Sequence, residues 1–194
     1  RALALAVLLD TAVPGLVLRV RTSTFRGPAT TYNVLAETPT GNDANVVMAG
    51  AHLDSVNAGP GINDNGSGSA ALLEVAEQMA RSNPVNTVRF AWWGAEESNL
   101  VGSTRYVSGL GDADRSRIAL YLNFDMVASP NPVYFVYDGD DSDATGAGPG
   151  PSGSARIEKT FEAFYAGRRL PVKGTDFSGR SDYGPFITAG IPSG

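Results

Sequence analysis

Residues 45–80 read NVVMAGAHLDSVNAGPGINDNGSGSAALLEVAEQMA, and this stretch predicts a strand, a long glycine-rich loop and a helix in that order. Residues 45–51 form a continuous apolar run, which is typical of a strand that is covered on both faces. From 69 to 81 the apolar residues recur at helical spacing and predict an amphipathic helix. The only histidine of the chain, His52, follows the strand and begins the loop. The stretch therefore predicts the strand–loop–helix unit of an α/β fold, with the imidazole at the end of a strand.

The rest of the chain continues this alternation of strands and helices. Apolar runs predict strands at 87–93, 118–126 and 133–137, while helical periodicity predicts a helix within 99–110 and another from Ile157 onward. Such alternation specifies a three-layer α/β sandwich, in which helices cover both faces of a mostly parallel central sheet.

Two further segments near the N-terminus predict antiparallel strands within the same fold. Residues 16–24 and 30–38 alternate apolar and polar side chains, and Arg-Gly-Pro lies between them. We therefore expect an antiparallel pair beside the parallel strands.

Length and composition limit the classes of protein that the chain can represent. A chain of 194 residues with 42% hydrophobic and 18% charged residues suits one ordered domain, expected over 1–194. The formal net charge of -5 disfavours a nucleic-acid partner. The absence of cysteine excludes disulfides and thiolate metal sites.

Two segments differ in composition from the rest of the chain. Residues 2–9 are continuously apolar, but a membrane helix needs about 20 such residues, so we expect a buried strand or helix and no membrane segment. Residues 138–154 are acidic and then rich in glycine and proline, which predicts an exposed loop. Counted from Asp138, Pro149 stands where a helix–loop–helix calcium site needs glutamate, so that motif is excluded and other calcium binding stays open.

Acidic side chains follow three predicted strands and also occur in the glycine-rich loop. With the histidine, these residues are His52, Asp54, Asp64, Glu96, Glu97 and Asp125. Because the carboxyl ends of parallel strands meet at one edge of a sheet, we expect these side chains to lie close together. So many like charges require a cation, and the mixed nitrogen and oxygen donors suit zinc, with manganese and cobalt left open.

Each of these features also has a simpler interpretation when it is taken alone. A histidine at a strand end can be a surface or capping residue, and Glu96 with Glu97 can be an ordinary acidic pair in a loop. The segment 62–69 can be a turn before a helix, although the lysine of a phosphate-binding loop is missing. The coincidence at three strand ends favours a metal site over these alternatives.

Several long motifs resemble the secreted bacterial zinc aminopeptidases of the leucine aminopeptidase type. They are MAGAHLDSV, GINDNGSGSA, RFAWWGAEE, YLNFDM and GRSDYGPF, and the likeness extends from Tyr32 to the last residue, except for the insertion at 138–154. The resemblance implies a zinc-exopeptidase fold and an active site with two zinc ions. It also implies a peptide substrate, with a preference for large apolar N-terminal residues such as leucine, and a secreted or cell-surface location.

The resemblance also implies a role for each of the metal-site residues. His52, Asp64 and Asp125 would hold one zinc, and Asp64 would bridge to a second zinc that Glu97 also binds. Glu96 would be the general base for a zinc-bound hydroxide nucleophile, a role that requires a carboxylate able to accept and return a proton.

Other site residues are expected around the metals. If the strand extends to Asp54, its carboxylate faces the same side as His52 and can accept the second N–H of the ring. The resemblance further implies a cis peptide bond between Asp64 and Asn65.

Gly179 and Arg180 match positions that line the substrate pocket in this family. A salt bridge from Arg180 to Asp176 or Asp182 is the alternative, purely structural interpretation.

One feature departs from the family pattern. The family completes its second zinc site with a histidine farther along the chain, and these 194 residues contain no second histidine. We therefore expect a catalytic domain cut from a longer polypeptide, with residues 1–29 as a remnant of a preceding segment. Two alternatives to the aminopeptidase remain, a single-zinc glutaminyl cyclotransferase of the same fold and a binding module without catalysis.

Overall fold

The structure, a computed structural model, describes residues 27–194 together with Val17, Arg21 and Ser23. The chain divides into two units, Arg1–Thr30 and Thr31–Gly194, and the elements below belong to the second. The apolar run at 2–9 lies outside the described residues, as does most of the predicted strand at 16–24.

Strands and helices alternate along most of the second unit. The strands are β1 (Val34–Glu37), β2 (Asn42–His52), β3 (Asn86–Trp93), β4 (Ile118–Asn123), β5 (Tyr134–Tyr137) and β6 (Val172–Thr175). The helices are α1 (Gly68–Met79), α2 (Val101–Ser108), α3 (Asp112–Arg117), α4 (Ser154–Gly167) and α5 (Tyr183–Thr188). Among the residues that the structure describes, no helix is long and apolar enough to cross a membrane.

A four-stranded sheet forms the centre of the unit, in the order β1-β3-β2-β4. Strand β2 is parallel to both β3 and β4, whereas β1 is antiparallel to β3. Strands β5 and β6 form a separate parallel pair. The predicted α/β class with a mostly parallel sheet is confirmed. Within the described residues β1 takes β3 as its antiparallel partner, whereas the sequence suggested 16–24.

Alternate residues of β2 and β3 belong to two apolar cores on opposite faces of the sheet. Met48 and Trp93 lie in one core, where helices α2 and α5 pack against the sheet. Ala49 and Phe90 lie in the other, which helix α1 covers through the buried side chain of Leu72. Strands with both faces buried are continuously apolar, and this is the pattern that residues 45–51 show.

Strand β4 ends three residues earlier than the apolar run predicts. Its last residue is Asn123, and the N–H of Phe124 still donates to the carbonyl of Gly50 at 2.9 Å. Beyond this bond the chain leaves the sheet, and Met126 adopts a φ of 55°. Asp125 therefore lies on an irregular segment just past the sheet edge rather than on a strand.

Candidate active site

His52 is the last residue of β2 and its side chain is almost fully buried, with 1% exposed. The ring Nδ1 lies 3.0 Å from the backbone carbonyl oxygen of Asp54, which can accept its proton. The ring Nε2 lies 3.2 Å from Oδ1 of Asp64 and 3.3 Å from Oδ1 of Asp125. The imidazole is thus oriented with one nitrogen towards the backbone and the other between two carboxylates.

Asp54 occupies a different place from the one that strand periodicity predicts. Because β2 ends at His52, Asp54 lies past the strand, and its carboxylate is 3.7 Å from Nδ1. The two carboxylate oxygens instead accept the backbone N–H groups of Glu96 at 2.9 Å and Glu97 at 3.2 Å. Asp54 therefore fixes the ring through its backbone and holds the loop after β3 through its side chain.

The glycine-rich loop returns Asp64 to the sheet edge. Gly61 has a φ of 68°, in the left-handed region that glycine adopts easily, and its carbonyl accepts the N–H of Gly66 at 2.8 Å. The peptide bond between Asp64 and Asn65 is cis. These turns bring the carboxylate of Asp64 beside Nε2 of His52.

Asn65 is a site residue that the sequence did not reveal. Its side chain is 2% exposed, and its Nδ2 donates to the carbonyl of Phe124 at 2.9 Å. Its Oδ1 accepts the N–H groups of Gly68 at 3.0 Å and Met126 at 3.2 Å. Asn65 therefore joins the loop that carries Asp64 to the segment that carries Asp125.

This junction leaves no room for a side chain at Gly68. A Cβ there would collide with the carbonyl oxygen of Phe124 and with the side chain of Asn65. We expect Gly68→Ala to lower the free energy of unfolding by about 1–3 kcal/mol, the usual cost of overpacking. Gly59→Ala, in the loop before α1, is the matched control, because a Cβ there meets nothing within 4 Å. Urea unfolding measures both, and equal stabilities would show that the junction is not tight.

Asp125 is held from two sides. Its Oδ1 faces His52, and its Oδ2 accepts a hydrogen bond from Oγ of Ser181 at 2.7 Å. Burial alone would raise the pKa of Asp125, but the hydrogen bonds from His52 and Ser181 outweigh burial and lower it. Ser181 lies within the GRSDYGPF motif, but nothing in that motif predicts its contact with Asp125.

The ring of His52 is strongly affected by its acidic neighbours. Burial alone would lower its pKa. The hydrogen bond to Asp125 and the negative charges of Asp125, Glu96 and Asp182 outweigh burial and raise the pKa to about 9. The carboxylates around Nε2 thus favour a positive charge at this point. A proton on the ring supplies that charge in the free protein, and a divalent metal could supply it instead.

Glu96 and Glu97 follow β3 and have different environments. Glu96 is 8% exposed, and its carboxylate lies in one cluster with His52 and Asp125, with ligand atoms within 4.8 Å of one another. Burial, together with the charges of neighbouring carboxylates, raises the pKa of Glu96 to about 7. Glu97 is exposed to solvent over much of its side chain. The partial burial of its carboxylate raises its pKa, and the charge of Asp64 adds to the shift.

We call His52, Asp64, Glu96 and Asp125 the His52 cluster. One imidazole nitrogen and several carboxylate oxygens converge there, and this mixed donor set fits zinc. The charge of Asp64 contributes to the raised pKa of Glu97. The three residues whose ligand atoms lie within 4.8 Å of one another are His52, Glu96 and Asp125, and neither Asp64 nor Glu97 belongs to this group.

Asp182 is a second residue that the sequence did not reveal. It is completely buried, and within the described part of the chain neither of its carboxylate oxygens has a hydrogen-bond partner. Burial raises its pKa to about 7, and the charge of Asp125 contributes. The only signal in the sequence is its position in the GRSDYGPF motif.

Gly179 and Arg180 lie on a turn before α5. Gly179 has a φ of 79°, and its N–H donates to the hydroxyl of Tyr183 at 3.0 Å. The Arg180 side chain is 65% exposed; its Nη1 lies 3.7 Å from Oδ1 of Asp176, and its Nη2 donates to Thr175 Oγ1 at 3.1 Å. The expected salt bridge to Asp176 is thus present as a long, exposed pair, and it leaves the guanidinium accessible.

An open cavity of about 740 Å³ lies between helices α2 and α5. Its apolar lining includes Leu100, Val107, Phe177 and Ile187, and Gly179 also lines it. The residues of the His52 cluster do not line it. The chemistry of the site is therefore located at the strand ends and not in this cavity.

Comparison with known proteins identifies relatives of this chain. A family model described as peptidase family M28 matches residues 33–194. The chain is 60% identical over 166 residues to the probable lipoprotein aminopeptidase LpqL of Mycobacterium tuberculosis, covering 84% of this chain and 33% of that protein. It is 53% identical over 165 residues to leucine aminopeptidase 2 of Trichophyton equinum, covering 85% and 33%. The chain thus spans about a third of the length of these curated relatives.

Solved structures with the same fold include enzymes of two kinds. BSAP, a zinc aminopeptidase from Bacillus subtilis, has a TM-score of 0.69 and 29% identity, with 83% of this chain and 38% of that chain covered. A glutaminyl cyclase from Porphyromonas gingivalis has a TM-score of 0.62 and 20% identity, with 83% and 59% covered, a likeness that shows the fold alone. The resemblance to zinc aminopeptidases that the motifs indicated is confirmed.

Proposed function

The chain belongs to peptidase family M28, and on that basis we propose that residues 31–194 carry catalytic residues of a zinc aminopeptidase. The reaction is hydrolysis of the N-terminal peptide bond of a peptide. One observation carries the proposal: Nε2 of the buried His52 lies 3.2 Å from Asp64 and 3.3 Å from Asp125. These three residues come from two separate strand ends and a loop. The fold does not require them to converge on one imidazole nitrogen, whereas a bound metal does.

We assign His52, Asp64 and Asp125 to one zinc, and Asp64 with Glu97 to a second. Zinc bound there would polarise the scissile carbonyl and promote ionisation of water near neutral pH. The chain supplies a single imidazole, which is assigned to the first zinc, so the second zinc would be held here by the carboxylates of Asp64 and Glu97. The two-zinc site is in this respect a proposal about the whole protein.

Glu96 is suited to move protons in this reaction. It is buried, and a pKa of about 7 allows its carboxylate to accept a proton from water and return it to the departing amine. The carboxylate of Asp54 holds the backbone N–H of Glu96 at 2.9 Å, so the position of Glu96 is linked to that of His52.

The names of two relatives and the positions of Gly179 and Arg180 support a proposal about the substrate and the location of the enzyme. The relative from Trichophyton equinum is named a leucine aminopeptidase, so we propose a large apolar N-terminal residue as the preferred substrate. Gly179 and the accessible guanidinium of Arg180 are proposed to contact the peptide. A relative named a lipoprotein aminopeptidase supports a secreted or surface location.

An assay with leucine p-nitroanilide and with a glutaminyl peptide, on the full-length protein, tests the proposal. The aminopeptidase releases nitroaniline, loses this activity after chelation and regains it with zinc. Cyclisation of the glutaminyl peptide without nitroaniline release would instead support the cyclotransferase, and peptide binding without either reaction would support a binding module.

The role of Asp54 can be tested with Asp54→Asn. The amide keeps one oxygen acceptor, so one of the two N–H groups of Glu96 and Glu97 loses its partner. We expect zinc affinity to fall roughly 10–100-fold, as is usual when a residue that orients ligands is lost. A chelator competition measures this, with Asp112→Asn, which is 93% exposed on α3, as the control. Unchanged affinity would show that Asp54 does not support the metal ligands.

A further inference from the structure

A second group of acidic side chains lies outside the His52 cluster. Asp138, Asp140 and Glu158 each offer a carboxylate oxygen, and these oxygens lie within 4.8 Å of one another. We call these three residues the Asp138 cluster. Asp138 and Glu158 are 1% and 3% exposed, so two of the three charges are withdrawn from water. Buried like charges at this separation are unfavourable unless something neutralises them.

The hydrogen bonds of Asp138 satisfy only one of its oxygens. Its Oδ2 accepts the N–H of Asp143 at 3.1 Å and the hydroxyl of Thr145 at 3.3 Å. Its Oδ1 is buried and has no hydrogen-bond partner among the residues that the structure describes. Buried polar atoms in native proteins almost always have a partner, so this free oxygen points to a ligand.

Glu158 brings a second buried carboxylate to the same place from helix α4. Its Oε2 accepts the N–H groups of Gly139 at 2.9 Å and Asp140 at 3.3 Å. Burial raises its pKa, and the charges of Asp140 and Asp138 contribute to the shift. Backbone N–H groups of the loop after β5 thus bind the side chain of Glu158 on α4, and these neutral donors do not cancel the negative charges of the cluster.

A lysine is present but reaches only the outer member of the cluster. Lys159 Nζ lies 2.9 Å from Oδ2 of Asp140, and the lysine side chain is 67% exposed. Exposed pairs of this kind contribute little. The pair does not provide a partner for the buried oxygen of Asp138.

We propose that Asp138, Asp140 and Glu158 bind a calcium ion. The donors are all carboxylate oxygens, which suit a hard cation, and zinc is disfavoured because the cluster has no nitrogen or sulfur donor. Calcium accepts six to eight oxygen ligands in irregular geometry, so backbone carbonyls and water can complete the shell. The site differs from a helix–loop–helix site, since its glutamate comes from the following helix and not from position twelve of the loop. The segment 138–154, predicted as an exposed loop, is therefore not exposed throughout, because Asp138 is buried.

The ion would tie the loop after β5 to helix α4, so its first effect is on stability. For the zinc-saturated protein, calcium at roughly 100 times its dissociation constant should raise the thermal midpoint by about 5–10 °C. Calorimetric titration with calcium should show one ion per chain. A midpoint that calcium leaves unchanged, with no heat of binding, would overturn the proposal without any variant.

Asp140→Asn locates the site, because Asp140 is the most exposed member and its replacement disturbs the buried cluster least. This variant should fold, retain zinc and lose the calcium-dependent shift. Asp112→Asn makes the same chemical change on exposed helix α3 and should keep the full shift. A shift that persists in Asp140→Asn would place the calcium elsewhere and refute the assignment. Because zinc content is measured in the same samples, failure here is distinguishable from failure of the proposed aminopeptidase site.

Discussion

Replacing Glu96 with alanine should lower kcat for leucine p-nitroanilide by about 10²–10⁴-fold, the usual contribution of a general base. Glu96 is proposed to move the proton and not to bind metal, so zinc should remain. The side chain is buried beside His52 and Asp125, and in the metal-free protein burial raises its pKa to about 7. Steady-state kinetics and elemental analysis of the same preparation provide the two readouts.

Glu77→Ala, an exposed substitution on helix α1, is the control for the loss of a glutamate. It should leave both kcat and zinc content unchanged. Stoichiometric loss of zinc in Glu96→Ala would count against the assignment, because it would make Glu96 a ligand.

Replacing His52 with alanine should abolish activity through loss of metal. His52 is the only imidazole in the chain, and its Nε2 is the point at which Asp64 and Asp125 converge. Without it the first zinc retains carboxylates alone, which suit zinc less well. We expect zinc affinity to fall by more than the roughly 10–100-fold typical of residues that only orient ligands. A chelator competition measures the affinity.

Asn57→Ala, at an exposed position in the same loop, is the control for His52→Ala. Circular dichroism of both variants shows whether the fold is kept. Zinc affinity equal to that of the unchanged protein in a folded His52→Ala would remove His52 from the metal site.

The sequence predicts the fold well where strands are buried on both faces. Strands β2 and β3 lie close to the predicted segments because most of their positions near the C-terminal end are buried on one face or the other and are therefore apolar. Helix α1 was located correctly, but Leu73 and Val75 are 50% and 48% exposed although they are apolar. The surface that a helix buries depends on its neighbours, which the helical period alone does not specify. The short elements α3, β6 and α5 have too few residues for any period to appear.

The candidate site was predictable in composition but not in its hydrogen bonds. Acidic residues after successive parallel strands reach one edge of the sheet by topology, and this is a property of the sequence order. Asn65 and Ser181 could not be assigned, because their partners Phe124 and Asp125 are more than 50 residues away along the chain. The contact of Asp54 was misjudged because the two-residue period was extended past His52, where the strand ends.

Anomalous X-ray scattering at the zinc absorption edge, from crystals of the zinc-loaded full-length protein, would locate the metal ions. We expect a zinc peak about 2.0–2.2 Å from Nε2 of His52 and from carboxylate oxygens of Asp64 and Asp125. A second peak is expected between Asp64 and Glu97, with Glu96 outside the coordination sphere of both ions. A zinc ion that is bound by Glu96 in place of Asp64, or that lies away from His52, would contradict the account.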